Sequence, residues 1–249
     1  GNHALGANTT GAGNTAVGKD ALARNTTADD NTAVGYLALD HNTTGAGNVA
    51  IGKDAGTAIT TGNYNIAIGL DALESVTTAA DNVAVGYYAL QANTGSGNTA
   101  VGRSAMAANT SGEYNAAFGY QSLDANTTGG SNTVVGYQAM TDNTTGSSNV
   151  AVGKNALSNN ETADYNTAVG FQALFTNTTG ASNTAVGHNA LVNTTTASSN
   201  TAIGAEAGDA LTSGDLNVAI GRSALGANTV GDRNVAIGAY SLATNNPST

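Results

Sequence analysis

Few side chains in this sequence could carry out chemistry, and their spacing does not favour catalysis. The glycine-rich stretch at residues 45–50 fits the GxGxxG dinucleotide fingerprint only loosely, since it precedes a strand pattern instead of opening a helix. The glycine-rich nonapeptide of calcium-binding β-rolls is missing. The three histidines lack the spacing of metal ligands, and they are His3, His41 and His188. We therefore predict no enzyme activity, no metal site and no cofactor.

A second set of side chains could bind a ligand without reacting with it. Aromatic and basic residues recur about every 17 residues, often followed by an acid or amide, as in Lys53–Asp54. Rings that stack and polar groups that hydrogen bond suit glycans and protein surfaces. The same residues also suit a solubilising edge or contacts between neighbouring chains. This candidate adhesive or inter-chain face comprises Tyr36, Tyr87, Tyr120, Tyr137, Lys53, Arg103 and Lys154.

These residues belong to a repeat that fills the whole chain. Each copy begins with Asn and reads NTAVG or NVAIG, then two variable residues, Ala-Leu, two variable residues and NTTG. We call each copy a rung and number its positions from this Asn. Every step is 17 residues except one of 16, where a Thr is missing after Asn93, which marks a loop. The rungs begin at Asn14, Asn31, Asn48, Asn65, Asn82, Asn98, Asn115, Asn132, Asn149, Asn166, Asn183, Asn200, Asn217 and Asn234.

The repeat predicts an all-β fold, a parallel β-roll or β-solenoid of about fourteen rungs. Residues 1–249 then form a single array, which we interpret as a slice of a longer fibre. Positions two and four carry Thr, Val or Ile and alternate with position three, as in a strand. We assign positions two, four and nine to the interior. The named roll core is Val17, Val34, Ile51, Ile68, Val85, Leu22, Leu39, Leu73 and Leu90.

Three smaller features of the rung support this assignment. Gly at position five predicts a backbone conformation that a Cβ would disfavour. Asn at position one predicts a corner where amides bond the backbone or stack in a ladder. Where Gly56 and Gly208 replace the Leu of position nine, Ile59 and Leu211 follow three positions later. We expect these two side chains to refill the lost core volume.

Position three predicts contact with other chains. On the alternation argument it faces away from the core, yet it is almost always Ala instead of a charged or large polar residue. A small apolar column suits close packing against identical chains about a rotation axis. The predicted partners are thus two identical chains in a homotrimer. The predicted trimer axis comprises Ala16, Ala33, Ala50, Ala67, Ala84, Ala100, Ala117, Ala151, Ala168, Ala185, Ala202, Ala219 and Ala236.

Composition narrows the classes of function. The net charge of −10 and the 7 basic residues disfavour nucleic-acid binding. Aromatic residues make up 5% and charged residues 10% of the chain, so an ordinary wide core and a charge-rich disordered chain are both disfavoured. We find no apolar run that could span a membrane and no signal-peptide pattern. A thin, hydrogen-bonded repeat architecture fits best.

The NVAIG segments at Asn48, Asn217 and Asn234, with NTAVG elsewhere, resemble the YadA-like head repeats of trimeric autotransporter adhesins. This resemblance covers nearly the whole chain and implies a left-handed parallel β-roll with three chains around one axis. It also implies that positions two and four fill each roll and that Ala faces the axis. The implied function is an extracellular or cell-surface adhesive fibre. Similar repeats in phage tail-fibre-like proteins keep a virion fibre shaft open, and the rungs here are longer than is usual in the adhesins.

Other periodic side chains leave alternatives open. Thr pairs at positions thirteen and fourteen suggest a monomeric ice-binding or surface-ordering solenoid, although adjacent residues point to opposite sides of a strand. The Asn-x-Ser/Thr motif of N-glycosylation recurs mainly at position twelve, where rungs only about 4.8 Å apart would crowd glycans. A stripe at position seventeen fits a three-rung duplication, a periodic binding stripe or a contact between fibres. It comprises Tyr64, Tyr114, Tyr165 and Leu216.

Overall fold

The computed structural model describes residues 1–243, and within them it shows strands and turns without a helix. Two compact units are present, one of residues Gly1–Thr128 and one that begins at Gly129. Both are built from the same rung, and every strand has three residues. The first unit contains β1 (Thr15–Val17), β2 (Thr32–Val34), β3 (Val49–Ile51), β4 (Ile66–Ile68), β5 (Val83–Val85), β6 (Thr99–Val101) and β7 (Ala116–Phe118). The second contains β8 (Thr133–Val135), β9 (Val150–Val152), β10 (Thr167–Val169), β11 (Thr184–Val186), β12 (Thr201–Ile203), β13 (Val218–Ile220) and β14 (Val235–Ile237).

Within each unit the strands pair in parallel and in chain order. Each strand residue lies opposite its equivalent in the next rung, as Ala33 lies opposite Ala50. The ladder continues beyond the strands, because the amide of Thr32 donates to Asn48 O at 2.9 Å. The prediction of an all-β parallel solenoid with one strand per rung is therefore confirmed.

The shortened rung shows where this coil tolerates a change in length. Strands β5 and β6 keep the same register as their neighbours, with Val83 opposite Thr99. In the loop, Asn93 Nδ2 donates to Gly95 O, only two residues away, whereas Asn42 Nδ2 donates to Gly45 O, three residues away. The missing residue is absorbed by the loop, as its position in the repeat predicted.

The stretch between the strand and this loop has a backbone that the repeat pattern did not reveal. Position nine adopts a left-handed conformation even when it is Leu, with φ of 51° at Leu39 and 52° at Leu73. Such a backbone costs an L-residue about 1–2 kcal/mol. It lets the amide of Leu39 donate to Ala55 O in the next rung at 3.1 Å, while the amide of Asp54 at position seven donates back to Tyr36 O at 2.9 Å. Alternating directions thus satisfy the backbone between rungs without a regular strand.

The structure corrects the predicted direction of the strand side chains. Ala33, Ala50 and Ala84 at position three are completely buried inside the coil of a single chain, whereas Val17 is 58% and Ile51 is 41% exposed. The predicted leucines of position nine are buried as expected. The same correction applies to the full sets, with Val34, Ile68 and Val85 only partly buried and with Ala67, Ala100, Ala117, Ala151, Ala168, Ala185, Ala202, Ala219 and Ala236 all buried.

The reason is the limited space inside the coil. The strand faces the stretch around position nine, which forms the opposite wall of the coil. A Cβ placed on Gly208 at position nine would lie 3.9 Å from the Cβ of Ala202 at position three, so these two positions face each other. With a Leu at position nine, only a small side chain fits opposite it. The alanine column therefore lines the interior, apart from the half-buried Ala16 in β1, and it cannot face a trimer axis.

Core volume is compensated at the two glycine rungs, as the sequence predicted. Ile59 and Leu211 are buried at position twelve, where most other rungs place a buried Asn. A Cβ added to Gly56 would lie 3.0 Å from Ile59 Cδ1, so the isoleucine occupies the space of the absent leucine. Val76 is also buried at this position although Leu73 is retained, so an apolar residue here does not require a glycine at position nine.

Buried asparagines join the rungs at two corners. Asn31 accepts a hydrogen bond from the amide of Asn48 at 2.8 Å and donates to Gly45 O at 2.9 Å, which confirms the predicted ladder at position one. A second ladder runs through position twelve, where Asn42 Nδ2 donates to Asn25 Oδ1 at 3.1 Å. It stops at Ile59, and Asn42 Oδ1 is left buried without a hydrogen-bond partner.

Glycine at position five is required by both conformation and space. Its φ lies between 112° and 146° in all fourteen rungs, a region that residues with a Cβ rarely adopt. A Cβ on Gly86 would also overlap the carbonyl oxygen of Gly102 in the next rung, whereas a Cβ on Gly238 would meet no atom of residues 1–243 within 4 Å. Substitutions at Gly86 and Gly238 can therefore separate the cost of the backbone conformation from the cost of the steric overlap.

We predict that Gly86→Ala lowers the free energy of unfolding by about 2–5 kcal/mol, because strain and overlap act together. Gly238→Ala, which retains only the strain, should cost about 1–3 kcal/mol. Urea denaturation followed by circular dichroism measures both. A loss at Gly86 no larger than the loss at Gly238 would show that close stacking of the glycines is unimportant.

Candidate interaction surfaces

The predicted adhesive or inter-chain residues form a column at position six of each unit. In the first unit, Arg103 lies between the rings of Tyr87 and Tyr120, with its guanidinium carbon 5.4 and 5.9 Å from their centroids. In the second unit, Lys154 Nζ lies 5.6 Å from the ring centroid of Tyr137. Such cation–π contacts contribute about 0.5–1 kcal/mol each at exposed sites. The column therefore has contacts within its own chain and is not a row of isolated side chains.

The other predicted members continue this pattern in the first unit. Tyr36 lies 5.6 Å from Lys19 Nζ, measured to the ring centroid. Lys53 instead contacts Asp54 of its own rung, with Nζ 2.7 Å from the carboxylate, and this hydrogen bond raises the pKa of the lysine. Side chains at position six are exposed except for the half-buried Leu70 and Ala205, so the column remains accessible in a single chain.

The stripe at position seventeen is the most exposed set of large side chains. Tyr64, Tyr114 and Tyr165 are 66%, 68% and 67% exposed, and Leu216 is 49% exposed. All four have left-handed backbones, with φ from 56° to 61°. The ring of Tyr64 lies against Gly47, since a Cβ there would be 2.7 Å from Tyr64 Cδ1. One face of that ring is thus covered by the preceding rung.

The structure also shows a surface that the sequence reasoning missed. Because alanine points inward, positions two and four form an outward face, which we call the strand face. It carries Thr, Val, Ile, Ala or Phe in all fourteen strands and no charged residue. Phe118 and Ile203 are 41% and 42% exposed on it. Charge-free β-branched columns were visible in the repeat, but alternation alone did not tell which side of the strand was outside.

The threonine columns offer fewer free hydroxyl groups than the sequence suggested. At position thirteen, Thr43 Oγ1 donates to Thr60 O and Thr60 Oγ1 to Thr77 O, both at 3.1 Å. The second threonine of each pair lies at position fourteen and is exposed, as Thr44 and Thr61 show. The hydroxyls of position thirteen therefore serve the contact between rungs, which does not favour a two-column ice-binding lattice.

Most candidate glycosylation sites are inaccessible in this fold. The asparagines of position twelve from the first complete rung onward, such as Asn25 and Asn109, are completely buried, and many bond their neighbours in the ladder. Asn8 is partly buried. Asn193 lies one position earlier in its rung, is exposed and donates to Asp209 O at 2.8 Å. The recurrence of the motif thus follows from the ladder.

Acidic residues at position ten lie close to the body of the coil. Burial raises the pKa of Asp124, an effect that a hydrogen bond from the backbone of Ala107 opposes in part. Burial, together with the nearby Glu206, also raises the pKa of Asp209. A carboxyl whose pKa is higher in the folded than in the unfolded chain destabilises the fold once it is ionised.

Residues 1–243 contain no group of three or more His, Cys, Asp or Glu side chains arranged to hold a metal ion. The same part of the chain contains no helix long and apolar enough to cross a lipid bilayer.

Comparison with known proteins gave no match to a family model, a curated protein or a solved structure.

We predict that Asp124→Asn stabilises the chain at pH 7, because it removes a carboxylate whose ionised form is disfavoured by burial. The gain should shrink as the pH falls through the raised pKa of Asp124, since the native carboxyl then becomes neutral as well. It should vanish below the ordinary pKa of aspartic acid. Urea midpoints between pH 7 and pH 3.5 test this.

The matched control for this prediction is Glu113→Gln, an exposed carboxylate in the same unit. Its substitution changes the net charge equally and should leave the midpoint nearly unchanged. A gain at Asp124 that persists at pH 3.5, or an equal gain at Glu113, would show that burial of this carboxyl is not the cause.

Proposed function

We propose that the chain is a segment of an extracellular, cell-surface fibre in which three copies pack their strand faces around a common axis. Each copy would be a left-handed roll, as in the YadA-like repeats that the sequence resembles. The assembled fibre would present repeated outer side chains for multivalent attachment to a surface. The observation that carries the proposal is the uncharged, partly exposed strand face.

An uncharged face mainly of Val, Ile and Thr that runs along every strand is unusual on a chain that is to remain soluble. Contiguous exposed apolar patches beyond a few hundred Å² mark interaction sites or aggregation liabilities. The strand face extends along every strand of each unit, whereas the chain's acids and bases lie elsewhere and give a net charge of −10. Covering this face would leave the charged surfaces in solvent.

A further copy of the chain is the partner that fits such a face. The side chains of the strand face recur once per rung, about 4.8 Å apart. A second array with the same spacing can match that repeat along its length, and soluble homo-oligomers usually close with cyclic symmetry. The resemblance to trimeric adhesin heads favours three copies over two. The earlier assignment of the axis to alanine is not retained, because those side chains are buried within one chain.

Multivalency supplies the adhesive part of the proposal. Each rung repeats the exposed positions outside the strand face, and three chains would triple their number. Many weak contacts of this sort raise the overall affinity through effective concentration, without a deep pocket in any single rung.

We predict a solution mass close to three times the chain mass of 24.3 kDa by sedimentation equilibrium. Ile51→Asp should give a mass near that of one chain with an unchanged circular dichroism spectrum. Ile51 is exposed in the single chain, but three carboxylates around one axis would cost several kcal/mol.

Thr61→Asp is the matched control, because it adds the same charge to the same rung at an exposed position outside the strand face. It should remain trimeric. A monomeric native chain, or dissociation of both variants alike, would overturn the proposed assembly.

A further inference from the structure

The two exposed columns flank the strand face along its opposite edges. Position seventeen comes directly before the Asn that precedes each strand, and position six comes directly after the Gly that follows it. On β4 these edge residues are Tyr64 and Leu70, which flank the three-residue strand Ile66–Ile68. The ring of Tyr64 lies against Gly47 of the preceding rung.

Residue types on the two edges of a strand match each other. Each tyrosine of position seventeen shares its strand with an apolar or aromatic residue at position six. Four of the five basic residues at position six share theirs with Gly or Ser. The tyrosine strands carry the pairs Tyr64 and Leu70, Tyr114 and Tyr120, and Tyr165 and Phe171, whereas the basic strands carry Gly13 and Lys19, Gly47 and Lys53, Gly97 and Arg103, and Ser148 and Lys154.

A duplication of three rungs would copy such pairs. It would not by itself keep the two residues of a pair similar in type while the copies diverge in sequence. Leu70, Tyr120 and Phe171 differ from one another and yet all remain apolar or aromatic. The pattern holds for the tyrosines of position seventeen and not for every strand: Tyr36, Tyr87 and Tyr137 at position six share their strands with Asp or Ser, and Leu216 shares its strand with Arg222.

The tyrosines of position seventeen are costly within a single chain. Their left-handed backbones are unfavourable for bulky residues, and most other rungs place Gly, Asp or Ser there, with Leu216 and Arg233 as exceptions. Each ring is also about two-thirds exposed, so the chain itself supplies little compensating burial. Tyr64 and Tyr114 each have one ring face against the preceding rung, at Gly47 and Gly97, but this contact leaves most of the ring uncovered. Local strain retained for a ring that stays mostly exposed points to a further contact made outside the chain.

We infer that each tyrosine of position seventeen packs on position six of the next copy, at the level of the same strand. This rests on the proposed assembly through the strand face. Rotation about an axis along the stacking direction keeps equivalent residues at equal height and brings one edge of a strand face beside the opposite edge of the next. The contacts are Tyr64 on Leu70, Tyr114 on Tyr120 and Tyr165 on Phe171.

This arrangement makes the tyrosine stripe an inter-chain clasp that disfavours a slip of the copies in one direction. A shift toward the preceding rung would bring Tyr64 to the level of Lys53 instead of Leu70, whereas a shift toward the next rung would bring it to the level of Tyr87. Because the stripe is covered in the assembly, it would not serve as an outward binding surface. The outer surface available for attachment then lies on the remaining faces of the coil.

Cysteine pairs test the contact directly, since the native chain has no cysteine. In the full-length chain, oxidation of Tyr64→Cys/Leu70→Cys should produce covalent trimers on non-reducing gels. Each single variant should give none. The matched control is Tyr64→Cys/Lys53→Cys, whose sulfurs would be displaced by about one further rung, beyond the usual Cα–Cα range of about 4.4–6.8 Å for a disulfide.

The native chain gives a second test that needs no change at the contact. Acetylation of tyrosine by N-acetylimidazole, followed by mass spectrometry, should be at least several-fold slower at Tyr64, Tyr114 and Tyr165 in the assembly than in monomeric Ile51→Asp. If the native chain has a trimeric mass, two results would overturn the edge contact alone. One is an equal acetylation rate in the native chain and in Ile51→Asp. The other is crosslinking of the Tyr64→Cys/Lys53→Cys pair in place of the Tyr64→Cys/Leu70→Cys pair. A monomeric native mass would overturn the proposed function as well.

Discussion

Successive rungs lie only one backbone hydrogen bond apart, and the rest of the structure depends on this short distance. It brings Gly86 so close to the carbonyl of Gly102 that a side chain has no room at position five. It aligns the amides of position one into a buried ladder and requires the turn stretch to send its hydrogen bonds alternately up and down. The side chains are small because this spacing, and not a wide hydrophobic core, organises the coil.

Much of this architecture could be predicted from the repeat, because residues that recur at one position must occupy equivalent environments. The strands, the asparagine corner, the loop that absorbs a deletion and the refilling by Ile59 and Leu211 were all accessible in this way. The inward direction of alanine was not. Alternation along a strand states that neighbours point to opposite sides, but the wall across the coil decides which side is the interior.

The backbone conformation of that wall cannot be read from its residue types, because leucine at a left-handed φ violates the ordinary preference of an L-residue. Its geometry therefore could not be foreseen, nor could the strand face that results from it. The candidate columns at positions six and seventeen were identified from residue types alone. Their placement on opposite edges of one face became clear only once that face was known to be outward.

The deletion after Asn93 has a consequence for how such a chain can evolve. A lost residue is absorbed in the loop while Val83 and Thr99 remain in register, so errors smaller than a rung need not propagate to the neighbouring strands. Gain or loss of whole rungs by unequal recombination would likewise create no new kind of contact. Length can then change by whole rungs while the fold is kept, and each added rung contributes one more interface to stability.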